Sequence, residues 1–402
     1  MTDIHQIHAF GIHGPIRDNI VVYKYDRNRH GMIFPVGSLL ASFDPETNKM
    51  DFFDRKQNHC NDTITALAIS PNNKVVANAV HGSIGDGAQI HVFQTATRQR
   101  VTTMTHRSKV NALCFSCDSK WLICASDDLI AIWSWEKEKL DYSGSITGNI
   151  SRISRPPQQI DMYDLMFTTT GVGHARIWVA SSRHRLNNAS VMQTQAKEQK
   201  FIFTDHTWLR SSDNEEVLRM VVVMEPRKKS KGPDNTSFSD SSVVIFQLNE
   251  NVVSTQPSLE IEETIDISLH ENVKIFSISQ FTCDLSFILG CSKGNLLVYE
   301  YEQDRLGGAK FNKTHHMQTM KTTEENVLNI HVNNKGNAVV VTDMMNVYTC
   351  WDRDTPTSLM IDNHDFFTQL KLNGHFGGVN AMDCCVERQI FISCGNDNVL
   401  SI

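Results

Sequence analysis

The sequence predicts an all-β protein made of repeated small sheets, and three observations lead to this prediction. Few stretches keep apolar residues at the helical spacing i, i+3, i+4, i+7, whereas short apolar runs such as "KVVANAV" and "SSVVIFQL" recur along the chain. Clusters of Asn, Asp, Gly and Ser bound these runs, which is typical of short antiparallel strands joined by turns. The runs also recur as a unit, which indicates sheets stacked around an axis in a β-propeller.

The repeating unit contains an apolar strand, a polar turn, a second apolar strand, another polar turn and a third strand. The clearest copy is "VNALCFSCDSKWLICASDDLIAIW", which starts at Val110. Further copies start at Ile64, Val273, Val327 and Val379. The local steps are 46, 54 and 52 residues, and the gap from 110 to 273 holds further units. This spacing is close to the ~40–45-residue period of WD-type propeller blades, lengthened by loop insertions. A single four-stranded sheet cannot bury both of its apolar faces, so successive sheets must stack.

Seven units can be assigned in residues 1–360. The first spans Val21 to Phe53, the fourth is poorly marked around "MYDLMFTTTGVGHARIWVASS", and the fifth contains "DHTWL" and "VLRMVVVM". We therefore predict a WD40-type seven-bladed β-propeller at 1–360, a linker at 361–374 and the first strands of a second, incomplete propeller at 375–402. An eight-bladed ring is the alternative. Because the last strand stops one residue before an expected Trp, we expect a piece of a longer chain, with a natural short form as the alternative.

The unit at Val110 carries the fullest blade signature. His106 precedes its first strand, Asp127 lies in its polar turn, and Trp133 ends its third strand. In such a blade a buried His, a hydroxyl, a turn Asp and a Trp can hydrogen-bond to one another and make the sheet rigid. His375 before Val379 and Asp397 in the following turn repeat part of this pattern. We predict a structural role for these residues rather than catalysis.

Composition and charge exclude several classes of function. A net charge of −7 and a pI near 6.2 argue against a general nucleic-acid binder, which needs an excess of Lys and Arg. The sequence has no apolar run long enough to span a membrane and no secretory signal pattern. Its ten cysteines show no framework spacing and suit a reducing compartment. We also expect no catalytic residues, no cofactor and no metal.

Four short motifs have a functional interpretation and a structural one, and the structural one is favoured for each. Cys114-x-x-Cys117 reads as packing thiols rather than a zinc site, since no second ligand pair lies at zinc-finger spacing. "GSIGDG" at 82–87 reads as a turn rather than a nucleotide-binding loop. The adjacent His315 and His316 read as loop residues. The basic residues in 227–231 read as a solvated loop, with docking on an acidic surface or a nuclear import signal as the alternatives.

Several stretches together resemble a known family. They are "HAFGIHGPIRDNIVVY", "GMIFPVGS", "ALAISPNNKVVA", "DHTWL" and the final "GHFGGVNAMDCCVERQIFISCGNDNVLSI". The narrowest of them are His8 to Gly11, "IFPVG" from Ile33, and His206 with Trp208. In these segments the sequence resembles the N-terminal part of the cilia- and flagella-associated protein 57 family of ciliary WD-repeat proteins. The final segment looks like that family's entry into its second propeller.

The resemblance implies a non-catalytic scaffold of the ciliary or flagellar axoneme, of cytoplasmic origin and part of the cytoskeleton. Its expected partners are the tubulin of the doublet microtubule and axonemal proteins, namely inner dynein arms, the dynein regulatory complex and other WD-repeat proteins, with neither nucleic acid nor membrane among them. The expected role is to help position or regulate inner dynein arms in ciliary movement. The alternative is a WD-repeat scaffold of another intracellular complex, in intraflagellar or vesicle transport or in ribosome assembly. The family's coiled coil has no counterpart in this sequence.

Overall fold

The computed structural model describes most of the chain. The described residues are 18–24, 30–54, 63–82, 87–146, 148–181, 185–209, 217–227, 241–249, 257–267, 273–281, 285–303, 309–319, 324–332, 338–344, 346–350, 367–370, 379–385, 390–395 and 400–401. Their regular secondary structure is almost entirely β-strand, as the spacing of apolar residues predicts. The helical elements described are two 3-10 turns and one four-residue helix: Trp135–Lys137, Ser292–Gly294 and α1 Gln195–Glu198.

The strands follow one another as antiparallel neighbours, so that chain order is also sheet order. In chain order they are β1 Val21–Lys24, β2 His30–Val36, β3 Leu39–Asp44, β4 Lys49–Phe52, β5 Thr63–Ile69, β6 Val75–His81, β7 Ala88–Gln94, β8 Arg100–His106, β9 Ala112–Phe115, β10 Trp121–Ala125, β11 Leu129–Ser134, β12 Lys139–Ser145, β13 Asn149–Ser154, β14 Leu165–Val172, β15 His174–Ser181, β16 Arg185–Ser190, β17 Phe201–Leu209, β18 Arg219–Pro226, β19 Ser242–Asn249, β20 Ser258–Asp266, β21 Ile275–Gln280, β22 Ser286–Cys291, β23 Asn295–Gln303, β24 Ala309–Gln318, β25 Val327–Val332, β26 Ala338–Thr342, β27 Val347–Cys350, β28 Thr368–Gln369, β29 Val379–Cys385, β30 Ile390–Gly395 and β31 Leu400–Ser401.

Each run of four consecutive strands from β1 to β28 forms one blade, numbered 1 to 7 in chain order. Blades 4 and 5 are joined by one extra bridge between Val172 and Ile202, and the other five are separate four-stranded sheets. The first strand of each blade contacts the first strand of the next, and β25 contacts β1. Within the described residues, seven blades therefore form a closed ring around the first strands.

Alternation along the strands explains why neighbouring blades stack. In β6, Val75, Ala77 and Ala79 pack toward blade 3, while Val76 and Val80 pack toward blade 1. Successive side chains of a strand point to opposite faces, so an uninterrupted apolar run is apolar on both faces. A strand of this kind is buried only when a sheet covers it on each side.

The apolar core is divided among the seven seams between blades. Seven clusters of buried side chains are described, and each joins two successive blades. The last of them closes the ring: Val339, Val341 and Val347 of blade 7 pack against side chains of blade 1 that include Phe34 and Phe43. The predicted all-β propeller is thereby confirmed.

Two boundaries differ from the sequence prediction. The outermost strand of blade 7 is β28, which pairs with β27 and lies inside the predicted linker at 361–374. That linker prediction is wrong at this strand, because two residues suffice to pair with an edge and carry no apolar run that would mark them. The strands β29, β30 and β31 follow as a separate three-stranded sheet. Its membership of a second propeller stays a prediction.

Candidate functional site in and around the propeller channel

The structure separates the three predicted motif residues that it describes. His106 is buried at the end of β8, where its Nδ1 lies 3.0 Å from the carbonyl oxygen of Ser108. Asp127 is exposed in the turn between β10 and β11 and accepts a hydrogen bond from Nδ2 of Asn111 (2.6 Å). Among the described residues, Nε2 of His106 and Nε1 of Trp133 have no hydrogen-bond partner. These three side chains therefore do not form the hydrogen-bonded set that the sequence pattern suggests.

The neighbouring Asp128, rather than Asp127, organises that turn. Its carboxylate accepts hydrogen bonds from Oγ of Ser126 (2.9 Å) and from the guanidinium of Arg107 (2.6 Å). These contacts, and first of all the one from Ser126, lower the pKa of Asp128. The other two predicted motif residues lie outside the described part of the chain: His375 and Asp397.

A hydroxyl, a histidine and a tryptophan do form a bonded set, but in blade 4. Oγ1 of Thr169 on β14 lies 2.8 Å from Nε2 of His174 and accepts a hydrogen bond from Nε1 of Trp178 (2.8 Å). All three side chains are buried, and the other two stand on β15. A buried tryptophan N–H needs such an acceptor, because leaving it unpaired costs about 1–3 kcal/mol. The sequence pattern did not reveal this set, because blade 4 has the least regular strand pattern.

A second bonded set lies on the opposite face of β14 and joins blade 4 to blade 5. His206 on β17 places Nε2 2.8 Å from Oγ1 of Thr168 and Nδ1 2.7 Å from Oγ1 of Thr170. Nε1 of Trp208 donates to the same Thr168 hydroxyl (3.0 Å). A neutral imidazole donates through one nitrogen and accepts through the other, so one ring can satisfy both hydroxyls. The "TTT" of β14 and the "HTW" of β17 are the sequence signals of this contact.

The first strands of five of the seven described blades have a β-bulge at a similar place. The register of the first strand shifts by one residue in blades 2, 4, 5, 6 and 7, and again in β29. A bulge turns the strand and re-aims the side chain that follows it. In blades 4 to 7 the residue after the bulge is Arg152, Asp205, Ser277 and Asn329, whereas blade 2 has Ala66 there. Four blades thus carry a polar side chain at one equivalent position beside the ring axis.

Each of these polar side chains reaches the next blade. Arg152 pairs with Asp205 (2.8 Å), and Oγ of Ser277 donates to the carbonyl oxygen of Val327 (3.1 Å). Nδ2 of Asn329 donates to Oδ1 of Asn19 (3.0 Å), which precedes β1. Bulge geometry therefore converts a sequence repeat into a chain of contacts from blade 4 through blade 7 to blade 1.

Asp18 connects the two ends of this chain of contacts, because it contacts both Asn329 and Arg152. Its backbone N–H donates to Oδ1 of Asn329 (3.3 Å), and its carboxylate lies 3.5 Å from Nη2 of Arg152. Asp18 has φ of 52°, a left-handed conformation that Asp tolerates better than most residues. We call Asp18, Arg152, Asp205, Ser277 and Asn329 the channel ring.

The one cation of the channel ring, Arg152, pairs with both of its carboxylates, those of Asp18 and Asp205. The carboxylate of Asp205 is fully buried and accepts backbone hydrogen bonds from His206 (2.8 Å) and Ile278 (2.9 Å) besides its pair with Arg152. Burial lowers the pKa of Arg152, but Asp18 and Asp205 more than offset this, so that the pKa lies above its ordinary value. Arg152 is therefore a fixed cation with a structural role rather than a proton donor.

A cavity of about 370 Å³ lies at one mouth of the channel. It is surrounded by the ends of the first strands and the loops that follow them, in blades 1, 2, 4 and 7. Its polar lining includes Lys24, His30, Ser70, Arg155 and His331. The apolar lining consists of Val22, Ile69, Pro71 and Val332. Within the described residues, two cationic side chains and no carboxylate line this mouth.

His331 contributes a neutral imidazole to the cavity wall. Burial lowers the pKa of His331 to about 4, with Asp18 raising it and Arg152 lowering it. Its Nδ1 is buried and has no hydrogen-bond partner among the described residues. The ring therefore stays uncharged at neutral pH and keeps one hydrogen-bonding atom unused.

The two thiols of the cysteine pair near this mouth contact backbone carbonyl oxygens. The thiol of Cys117 donates to the carbonyl oxygen of Pro156 (3.0 Å), and that of Cys114 contacts the carbonyl oxygen of Phe115 (3.4 Å). Burial raises the pKa of Cys114 to about 11 and also raises that of Cys117. A thiol kept protonated is a poor nucleophile and a poor ligand.

The other short motifs give one correction and two untested cases. His315 and His316 lie on strand β24 and not in a loop, and Nε2 of His316 is 2.9 Å from Oδ1 of Asn295. β24 is the outer strand of its blade and needs no apolar alternation. The sequence pattern therefore did not reveal it as a strand. Arg227 is described, but the lysines of the basic run and residues 83–86 of the glycine-rich stretch lie outside the described residues.

The described residues offer neither a metal-binding cluster nor a membrane-spanning helix. They contain no group of three or more His, Cys, Asp or Glu side chains placed to hold a metal ion. The same part of the chain has no helix with the length and apolar character needed to cross a membrane.

Comparison with known proteins identifies the type of blade. The family model described as "WD domain, G-beta repeat" matches residues 98–134 and 367–402. The first match covers the unit at Val110, and the second covers β28 to β31. The fold is a WD40-type β-propeller. No protein of the curated set matches the chain by sequence.

Solved structures with similar folds cover most of the chain at low identity. The β-propeller domain of Myceliophteria thermophila Cps50 (Swd1) is 11% identical, with a TM-score of 0.53, over 84% of this chain and 97% of that one. A chain of the mitotic checkpoint complex is 10% identical, with a TM-score of 0.52, over 86% and 96%. A chain of Kuenenia stuttgartiensis hydrazine synthase is 10% identical, with a TM-score of 0.57, over 86% and 98%. At these identities the similarity concerns the fold alone.

Proposed function

We propose that this protein is a non-catalytic scaffold whose propeller presents binding surfaces to other proteins. The observation that carries this proposal is the channel ring, in which Arg152 and Asp205 pair with each other across two blades. A catalytic site needs titratable groups that face a substrate. Here the buried charges of the described channel are paired with one another, and the blades and loops around them form a rigid frame.

We further propose that the scaffold works in the ciliary or flagellar axoneme. There it would dock on the doublet microtubule and help to position or regulate inner dynein arms. The support for this step is the resemblance of "IFPVG", "DHTWL" and the final segment to the ciliary WD-repeat family. In the structure, His206 and Trp208 of "DHTWL" contact Thr168 across the seam between blades 4 and 5.

Cross-linking mass spectrometry on intact cilia tests the axonemal role. We expect cross-links from lysines of this chain to tubulin, dynein arm subunits or dynein regulatory complex subunits. A tagged full-length protein that stays out of the axoneme, with cross-links only to cytosolic transport or ribosome-assembly proteins, would contradict it. That result would favour the scaffold of another intracellular complex.

A further inference from the structure

The cavity at the channel mouth differs in charge from the protein as a whole. The chain has a net charge of −7, whereas the described cavity lining has two cationic side chains, Lys24 and Arg155, and no acidic one. The two cations come from different blades, since Lys24 ends β1 and Arg155 follows β13. A local positive potential on an acidic protein selects for a negatively charged group and steers its approach.

The rest of the lining narrows the class of ligand. The cavity has an apolar part, formed by Val22, Ile69, Pro71 and Val332. A small inorganic anion would not cover this part, which would stay in contact with water. The described lining has no Phe, Tyr or Trp on which a base could stack, and two cations do not make the track of phosphate contacts that a nucleic acid needs. A peptide supplies both carboxylates for the cations and aliphatic carbon for the apolar wall.

His331 adds an uncharged polar group to the cavity lining. Its imidazole has a nitrogen that no described residue uses. Ser70 is not available in the same way, because its hydroxyl donates to Asn72 (2.7 Å) and accepts from the backbone of Val75 (3.0 Å). Lys24 and Arg155 thus bring the positive charge to the described lining, and His331 adds an uncharged polar group.

We propose that this mouth of the channel binds an acidic peptide segment of a protein partner, with carboxylates at Lys24 and Arg155. The occupant is a peptide because the protein acts as a scaffold, so the inference rests on the proposed function. The cavity volume of about 370 Å³ falls in the range of small-ligand pockets and suits one short stretch of chain.

The test uses fluorescence anisotropy with the 402-residue chain. The probes are a fluorescein-labelled peptide of six Glu residues and a matched peptide of six Gln residues, with inorganic phosphate as a separate titrant. We expect the Glu peptide to bind and the Gln peptide to bind at least tenfold more weakly. The Lys24→Gln, Arg155→Gln double variant should lose at least tenfold in affinity for the Glu peptide, because it removes both charge-assisted contacts.

Lys137→Gln with Lys310→Gln is the matched control, since it removes two exposed lysines that do not line the cavity and should change affinity less than twofold. A melting temperature within about 3 °C of that of the unsubstituted chain shows that each variant is folded. Equal losses in both double variants overturn the proposal, as does failure of the Glu peptide to bind. Inorganic phosphate is titrated as an unlabelled competitor of the Glu peptide. If its affinity equals that of the Glu peptide, the assignment to a peptide is overturned.

The two proposals fail separately. If Glu-peptide binding depends on Lys24 and Arg155 while the full-length protein stays out of the axoneme, the cavity assignment holds and the axonemal role falls. If the protein is axonemal but the double variant binds the Glu peptide unchanged, the axonemal role holds and the cavity assignment falls.

Discussion

Asp205 shows how one side chain can hold three blades together. It stands on blade 5, pairs with Arg152 of blade 4 and accepts the backbone N–H of Ile278 on blade 6. A buried carboxylate is tolerated only when its oxygens are paired, and here both are. Its neighbours His206 and Trp208 were evident in the sequence, but its partners were not, because they lie 53 and 73 residues away along the chain.

Removing the charge of Asp205 should destabilise the protein strongly. In Asp205→Asn the buried guanidinium of Arg152 loses its closest partner, and breaking a buried pair in this way costs about 3–5 kcal/mol. We expect a loss of about 3 kcal/mol in the free energy of unfolding, measured by chemical denaturation. Asp51→Asn is the control, because Asp51 pairs with Arg98 at the surface, where such a change stays within about 0.5 kcal/mol. Equal effects of the two substitutions would contradict the role of Asp205.

His331 should make stability depend on pH between about 6.5 and 4. Burial lowers its pKa to about 4 in the folded protein, against 6.5 when unfolded. In that window the unfolded chain binds a proton that the folded chain does not, so stability falls as pH falls and levels off below pH 4. His331→Gln should reduce this fall by an amount on the order of 2 kcal/mol, measured as the difference between pH 7 and pH 4. His315→Gln on β24 is the control, and a pH profile unchanged by His331→Gln would contradict the prediction.

At the scale of the element, the two faces of strand β14 make hydrogen bonds to different blades. Thr169 completes a bonded set within blade 4, while Thr168 and Thr170 bond to His206 of blade 5. A central strand of a propeller would ordinarily carry apolar residues on both faces. Hydroxyls replace them here because tryptophan and histidine from neighbouring strands need acceptors inside the core.

Thr168→Val tests the contact between blades 4 and 5. Valine keeps the shape of threonine but removes the hydroxyl, so Nε1 of Trp208 and one nitrogen of His206 lose a partner inside the core. We expect a loss of about 2–3 kcal/mol in the free energy of unfolding, because buried polar atoms left without partners cost about 1–3 kcal/mol each. Thr105→Val on the exposed face of β8 makes the same chemical change and should stay within about 0.5 kcal/mol. If Thr168→Val were as mild as the control, these hydrogen bonds would not stabilise the fold.

Strand positions followed from the sequence wherever apolar runs were clear. Blade 1, predicted to run from Val21 to Phe53, has its strands from Val21 to Phe52. The two-residue β28 and the histidine-bearing β24 did not follow, because outer strands pack on one side only and need no apolar pattern. The recurring bulge was also hidden, since one extra residue changes the register without changing the composition.

At the scale of the whole molecule, side-chain packing between blade 7 and blade 1 closes the ring, and no described blade combines strands from both ends of the chain. Each described blade contains only consecutive strands, and blade 7 meets blade 1 through a cluster of buried apolar side chains and the contacts of Asn329 with Asp18 and Asn19. In a ring closed in this way, the last seam should be as well packed as the others.

Two adjacent valines of β26 test this closure. Val340 packs toward blade 6 and Val341 toward blade 1, and both are fully buried. Val→Ala at either position removes the same two methyl groups, so in a closed ring each should lower the free energy of unfolding by about 1–3 kcal/mol. Denaturant unfolding of the two single variants measures this. An open ring would leave Val341 exposed to solvent, and Val341→Ala would then cost far less than Val340→Ala.

The sheet formed by β29, β30 and β31 repeats the local design of the blades. Its first strand has the same bulge, and the family model for WD repeats matches this region. Val379, Met382 and Leu400 are more than half exposed there. That β29 opens a further propeller stays a prediction.

The sequence by itself determined the kind of unit, its approximate number and its strands, because apolar alternation and turn residues act locally and repeat every blade. It also pointed to the residues His106, Asp127 and Trp133, but the hydrogen-bonded sets formed instead around Thr169 and around His206. Only the tertiary structure decided this, together with the channel ring and the cationic cavity at its mouth. The physical reason is that these features join residues from different blades, whose approach depends on ring closure and bulge geometry rather than on neighbours along the chain.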